Sequence, residues 1–262
     1  AVKRRNANGD LRVMSDDVTL PRSGILPPWI SVRVRRVEPE LMDRQDLDSA
    51  LRKQALVGLR RINFFSLTVQ HLWQPILDFA LAAGRPIRVL DLASGGGEVV
   101  LGLSRRAKRA RLPIEVHGCD LNPEAVDQAN ARAASLGIEA PFFVCDIVTN
   151  PVPRGYDIVT NTLFMHHFED DDAMRVLASI RAADPKRAII SDLERSAPGF
   201  LLAHFACFIL TRSYIVHYDG PRSVAAAFTI PEFSELANKA GMKTHRIRWT
   251  WPFRFLFTWD AP

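Results

Sequence analysis

Cysteine is scarce in this 262-residue chain: only Cys119, Cys145 and Cys207 occur, and no two stand in C-x-x-C spacing. An odd, scattered set excludes a disulfide framework and a structural zinc site, and it fits a reducing compartment, the cytoplasm. Long apolar runs are missing as well. The most apolar stretch, Gly199 to Leu210, is too short to cross a bilayer and contains His204. The opening residues are polar and basic and lack the apolar core of a signal peptide. Neither sign of charge dominates, since 34 Lys and Arg against 29 Asp and Glu leave a formal charge of +5. Arg33, Arg35, Arg36, Arg105, Arg106, Lys108, Arg109 and Arg111 form no single run. They read as a solvated helix face and a basic N-terminal segment, so no stable nucleic-acid partner is expected. Internal repeats are absent, and nothing in the residue pattern calls for a metal.

What is present is ordinary globular material, 47% hydrophobic and 24% charged, long enough to bury a substantial core. Residues 1–30 are polar and end in Leu26-Pro27-Pro28, which reads as a mobile or extended segment. Residues 31–85 read as a helical cap, with helices over Glu40–Lys53, Gln54–Asn63 and Ser66–Ala83, the last stopped by Gly84. From residue 86 apolar runs alternate with helical segments, the mark of βαβ units and a parallel sheet. Strands are expected at Ile87–Leu92, Ile114–Asp120, Phe142–Asp146, Tyr156–Thr160 and Arg187–Asp192. Helices are expected at Val99–Arg111, Pro123–Leu136, Asp170–Ala183 and Pro231–Ala240, and the aromatic stretch 243–259 supplies two antiparallel strands. Residues 196–228 break the alternation and read as an inserted apolar helix and loop, a lid. The fold class that results is α/β, a Rossmann-like seven-stranded, mostly parallel sheet with helices on both faces.

The densest signal is Val89-Leu90-Asp91-Leu92-Ala93-Ser94-Gly95-Gly96-Gly97-Glu98, an apolar strand ending in an acid and a Gly-rich turn into a helix. Glycine lets backbone approach a ligand closely. The glycines do not follow G-x-G-x-x-G, and no G-x-x-x-x-G-K-[ST] occurs. An acid at the strand end repels a pyrophosphate and suits a ligand with an ammonium group, which argues against nicotinamide cofactors. Two more strands end in acids, Asp120 after Val116-His117-Gly118-Cys119 and Asp146 after Phe143-Val144-Cys145. Each alone could be a turn residue or a helix cap. Three together, on the carboxyl edge where open α/β sheets bind ligands, point to a site.

This pattern resembles the class I S-adenosylmethionine-dependent methyltransferases, over roughly Leu72 to Trp259. The resemblance implies that S-adenosyl-L-methionine is the cofactor and S-adenosyl-L-homocysteine the product. Asp91, Ala93 and Gly95 would then line the methionine part, Asp120 would accept the ribose hydroxyls, and Asp146 would hold the adenine amino group. Gly97, Leu121, Ile147 and Asn161 complete the expected cofactor set. The segment Asn161-Thr162-Leu163-Phe164-Met165-His166-His167-Phe168 is similar to that of quinone-biosynthesis and other small-molecule methyltransferases. His166 or His167 could take a proton from a phenol or enol as its oxygen attacks the methyl group. Equally, either could cap the next helix or pack under the sheet, and the sequence leaves both open. No N-P-P-[YF] follows this strand, which disfavours amino-group methylation of DNA bases or glutamine amides.

Selectivity is expected in the lid. Phe205 and Tyr214 belong to its apolar part, and His217, Tyr218 and Arg222 to the polar run His217-Tyr218-Asp219-Gly220-Pro221-Arg222-Ser223, read as a loop that orients a substrate. Leu210-Thr211-Arg212-Ser213, that run and Trp251-Pro252-Phe253-Arg254 resemble bacterial methyltransferases associated with type III polyketide synthases. The expected activity is methylation of an apolar hydroxylated small molecule, O-methylation of a phenolic or polyketide-like acceptor. A nucleic-acid methyltransferase, a non-catalytic S-adenosylmethionine-binding protein and an NAD-dependent oxidoreductase are the alternatives.

Overall fold

The computed structural model describes residues 32–44 and 47–262; the expected N-terminal segment 1–30 lies outside them. Seven strands form one sheet: β1 (Ile87–Leu92), β2 (Ile114–Asp120), β3 (Phe142–Val144), β4 (Ile158–Thr162), β5 (Arg187–Leu193), β6 (Arg246–Thr250) and β7 (Arg254–Asp260). Their order across the sheet is 3-2-1-4-5-7-6. Pairing is parallel from β3 to β5, and β7 runs antiparallel to both β5 and β6. The chain leaves β1 towards β2 on one side and later returns to β4 on the other, so β1 and β4 flank the topological switch point. Ligands in open α/β sheets bind in the crevice at that point.

Eight helices accompany the sheet among the described residues: α1 (Ser49–Phe65), α2 (Thr68–Ala83), α3 (Glu98–Ala110), α4 (Pro123–Ser135), α5 (Asp170–Ala182), α6 (Ala197–Leu210), α7 (Tyr214–Ala226) and α8 (Ile230–Lys239). Two apolar layers hold five of them, α2, α3, α4, α5 and α8, on the sheet. One face of the sheet packs Leu92, Val159, Ile190 and Phe257 against α5 and α8 residues such as Leu177 and Phe233. The other packs Val89, Val116, Ile158 and Leu256 against Leu72, Ile76, Leu103 and Ala129 of α2, α3 and α4. Central strands buried on both faces explain why β1 and β5 read as nearly continuous apolar runs. Local capping fixes the joints. Asn122 accepts from the Glu124 N–H ahead of Pro123 at the start of α4, and Thr229 with Glu232 closes a capping box on α8.

Several boundaries depart from the sequence expectation. Strand β3 stops at Val144, so Asp146 lies in the loop beyond it and not at a strand end. In the cap, one helix, α1, replaces the two expected over 40–63, because the Asp48 side chain accepts from the Ala50 and Leu51 N–H groups and starts the helix there. Among the described residues a 3-10 turn, Leu41–Asp43, precedes it. Strand β4 sits two residues later than expected, which brings Asn161 inside it. The largest change is in the lid, where residues 214–226 form the helix α7 and the expected loop 217–223 lies within it. Gly220 and Pro221, which suggested a turn, serve helix packing instead. A Cβ on Gly220 would stand 2.5 Å from the Cys207 sulfur, so only glycine lets α7 approach α6 this closely. Pro221 is buried in the same helix.

Candidate active site

The turn after β1 is built from backbone that few residues tolerate. Ala93 has φ 52°, and Gly95 and Gly97 have φ 50° and 76°. Gly97 caps α3 and packs under the turn, since a Cβ there would lie 2.5 Å from the Phe142 ring. Gly95 faces open space, with nothing within 4 Å of where a Cβ would sit, so the cradle of this turn opens at Gly95. Across the switch point Leu163 has φ 53° directly after β4. Left-handed non-glycine residues therefore end both flanking strands, a placement of strain that recurs at ligand sites.

Asp91 lies beneath this turn, buried, and accepts from the Thr160 hydroxyl at 2.7 Å. Its second oxygen is buried without a partner. Burial, aided by the nearby Asp120 charge and opposed by Thr160, pushes its carboxyl up to about 7. Asn161 donates to the Leu92 carbonyl at 3.0 Å, and its own side-chain oxygen is likewise buried and unpartnered. Buried polar atoms without partners are uncommon and call for an explanation. Here two of them, together with the buried Ser94 hydroxyl, surround the same turn.

Asp120 and Asp146 stand at the rim. Asp120 accepts from the Gly95 N–H at 2.7 Å and from the Asn122 N–H at 2.9 Å, so it ties the ends of β1 and β2 together. Asp146 accepts from the Val148 N–H at 2.9 Å and the Thr149 hydroxyl at 2.6 Å, and these bonds, the Thr149 hydroxyl foremost, hold its carboxyl below the usual range. Both carboxylates, with Leu121 and Ile147, line one cavity of about 770 Å³ that also takes in Ala93 and Gly95. Asp91, Gly97 and Asn161 do not line it; they lie behind its wall.

The two histidines sit in a 3-10 turn, Met165–His167, and their surroundings differ. His166 is buried, with Nδ1 2.7 Å from Asp192 Oδ1 and Nε2 3.7 Å from Glu40 Oε1. Burial by itself lowers its pKa, but Asp192 and Glu40 outweigh that and raise it to about 10. Glu40 is correspondingly held at about 2: burial pushes it up, and hydrogen bonding and charge from His166, with His167 and Ser223, pull it further down. His166 is thus an imidazolium clamped between two carboxylates. His167 stacks against it, with ring centroids 4.4 Å apart, and is only half-buried on the cavity wall. Glu40, His166 and His167 bring donor atoms within 4.8 Å of one another, close enough for a cation.

Above the acids the cavity is apolar. Ala55, Leu56, Leu59 and Ile62 of α1 face Leu202, Ala203, Ala206 and Leu210 of α6 and Ile215 and Val216 of α7. The expected substrate residues Phe205, Tyr214, His217, Tyr218 and Arg222 do not line it. Because 214–226 is helical, its cavity face is Ile215, Val216, Asp219, Gly220 and Ser223, and the intervening side chains turn away. The His217 ring bonds the Thr211 carbonyl at 2.9 Å and stacks on Phe208. Arg222 lies over the Tyr218 ring and pairs with Glu38 at 3.2 Å. Asp219 accepts from the Leu41 and Met42 N–H groups, and the Ser223 hydroxyl donates to Glu40. The polar face of α7 therefore pins residues 38–42 over the cavity and presents Glu40 to His166.

Sequence reasoning missed Glu40, Asp192 and Arg254. Asp192 had a signal, since it is a fourth acid near the carboxyl end of a parallel strand, β5. Arg254 is buried at the mouth, donating to the Thr68 hydroxyl at 2.7 Å; burial lowers its pKa to about 10 against the pull of Asp192.

Residues 89–183 match the methyltransferase-domain family. That stretch runs from β1 to the end of α5 and carries Asp91, Asp120, Asp146 and both histidines. Over 95 residues it is 37% identical to the demethylmenaquinone methyltransferase of Thermus thermophilus, a match covering 36% of this chain and 41% of that protein. The chain thus spans less than half the length of that relative. Among solved structures it is similar to the plantazolicin methyltransferase BpumL in complex with a triazolic desmethylplantazolicin analogue and S-adenosylhomocysteine, with TM-score 0.62 and 18% identity over 82% of this chain and 92% of that one. It is also similar to an O-methyltransferase family 2 protein from Planctomyces limnophilus in complex with apigenin, with TM-score 0.59 and 15% identity over 83% of this chain and 63% of that one. No helix among the described residues is long and apolar enough to cross a membrane.

Proposed function

We propose that this protein methylates an apolar, hydroxylated small molecule, with S-adenosylmethionine as donor and a phenolic or polyketide-like oxygen as acceptor. The observation that carries the reading is one continuous cavity, about 770 Å³, lined by the carboxylates Asp120 and Asp146 and by an apolar vault. When bound, S-adenosylmethionine supplies an electrophilic methyl group on a sulfonium. The residues present fit that ligand. The open cradle at Gly95 and the carboxylate Asp120 offer a close backbone approach and an acceptor for a ribose diol, and Asp91, whose second oxygen is unpartnered behind the turn, is the acceptor proposed for an ammonium. Asp146 and Ile147 line the same cavity and are the residues proposed to hold a third, planar group.

Of the two histidines, His167 is assigned the proton. Both ring nitrogens of His166 face carboxylates, so it has no free lone pair to offer. His167 reaches the cavity, and a ring nitrogen can accept the hydroxyl proton of an acceptor held against Phe164 and Phe168. The vault of α1, α6 and α7 orients that acceptor and keeps water from it, and positioning of this kind lowers the barrier of a displacement more than proton transfer does. A purified sample incubated with S-adenosylmethionine and a panel of alkylated phenols tests the reading by mass spectrometry. Formation of S-adenosylhomocysteine together with a singly methylated phenol ether supports it. Bound but unconsumed cofactor across the panel counts against it.

A further inference from the structure

Helix α6 is apolar but for His204, and only part of its surface is covered. Leu202, Ala203, Ala206 and Leu210 face the cavity. On the opposite stripe Leu201, Phe205, Phe208 and Ile209, at i, i+4, i+7 and i+8, are all exposed, Ile209 to 81%. Tyr214, at the start of α7, continues this surface. A helix hydrophobic all round belongs in a core or in hydrocarbon. A contiguous group of large exposed apolar side chains marks an interaction surface, whereas single ones do not.

The charges beside this stripe select the partner. Between Glu194 and Asp219 the chain has no acidic residue. Arg212 is exposed in the turn after α6, and Arg61 of α1, also exposed, donates to the Leu210 carbonyl at 3.3 Å. An apolar stripe with aromatic residues and a cationic end is the pattern of a helix that lies in a lipid interface, its rings among acyl chains and its cations on anionic headgroups. At 14 residues α6 is too short to cross a bilayer.

We infer that the outer face of α6, with Arg61 and Arg212 at its end, docks the protein on an anionic phospholipid bilayer. The inference stands apart from methyl transfer, since it uses only surface residues outside the cavity. In the docked state one helix has hydrocarbon on one side and the apolar vault on the other, which gives a lipid-soluble ligand a route that avoids water.

The test is co-sedimentation of the full chain with vesicles of phosphatidylcholine alone or mixed with phosphatidylglycerol. We expect sedimentation with the mixed vesicles, weakened by added salt, and its loss in the double variant Phe205→Glu, Ile209→Glu. Both positions are exposed, so the variant should keep its circular dichroism and thermal midpoint, and these are measured alongside. No sedimentation of folded wild-type protein with the anionic vesicles overturns the inference, as does equal sedimentation of the double variant. Light scattering covers the remaining occupant: if the wild type is a dimer that the double variant splits, and vesicles do not bind, the face joins two copies of this chain and the inference is wrong.

Discussion

His166 Nδ1 donates a hydrogen bond to Asp192 at 2.7 Å, made across the carboxyl ends of β4 and β5, and this bond is why the proposed base is its neighbour, His167. The partner of His166 on the other nitrogen, Glu40, comes from the segment that α7 holds over the cavity. Removing the imidazolium strands two buried carboxylates; His167 also acts on both charges but is only half-buried. His166→Ala should therefore cost about 3–5 kcal/mol of stability, the range for breaking a buried ion pair. Urea denaturation checks this, and a loss under 1 kcal/mol would show that the clamp carries little.

His167→Ala should behave in the opposite way. Its side chain is half-buried and its loss should cost about 1 kcal/mol or less, while turnover with a phenolic acceptor falls by about 10²–10⁴-fold, the usual contribution of a general base. Affinity for S-adenosylhomocysteine should not change. Equal turnover in variant and wild type would remove His167 from the chemistry.

The same clamp sets a pH signature of stability. The pKa of His166 is raised to about 10, so its contribution is fully present below the unfolded value of 6.5 and is lost as pH rises through about 10. Glu40 is depressed to about 2, so its contribution is present above 4.5 and is lost as pH falls through about 2. Asp192, depressed in the same way, acts in the same direction as Glu40, and Arg254 also faces it. The difference in thermal midpoint between wild type and His166→Ala should therefore shrink towards alkaline pH and again in strong acid. A pH-independent difference would contradict the assignment.

Asp91 predicts a different dependence. Its carboxyl is raised to about 7, and only the ionised form attracts an ammonium group. Binding of S-adenosylhomocysteine should tighten as pH rises through about 7, and Asp91→Asn should flatten that dependence. Calorimetric titration across this range decides it, and an unchanged slope in the variant would place the titrating group elsewhere.

The strands and the Gly-rich turn after β1 were readable from the chain alone because they are local. An apolar run, an acid at its end and a Gly-rich turn occupy one stretch of sequence, and the order of such stretches implies the sheet edge. The lid was harder for a physical reason. Gly220-Pro221 has the composition of a turn, and only the closeness of Cys207 on α6 shows why glycine belongs inside a helix there. Once 214–226 is helical, the side chains facing the cavity are Ile215, Val216, Asp219 and Ser223, and His217, Tyr218 and Arg222 serve other contacts. The Glu40–His166–Asp192 clamp joins three distant segments, which no local pattern reports.

Calorimetric titration of the folded protein with S-adenosylhomocysteine tests the central claim most directly, with Asp120→Ala beside it. We predict binding by the wild type and a loss of about 1.5–3 kcal/mol in the variant for each charged hydrogen bond removed. Absence of binding by folded wild-type protein, or equal affinity in Asp120→Ala, would contradict the cofactor assignment and the methyl-transfer reading built on it.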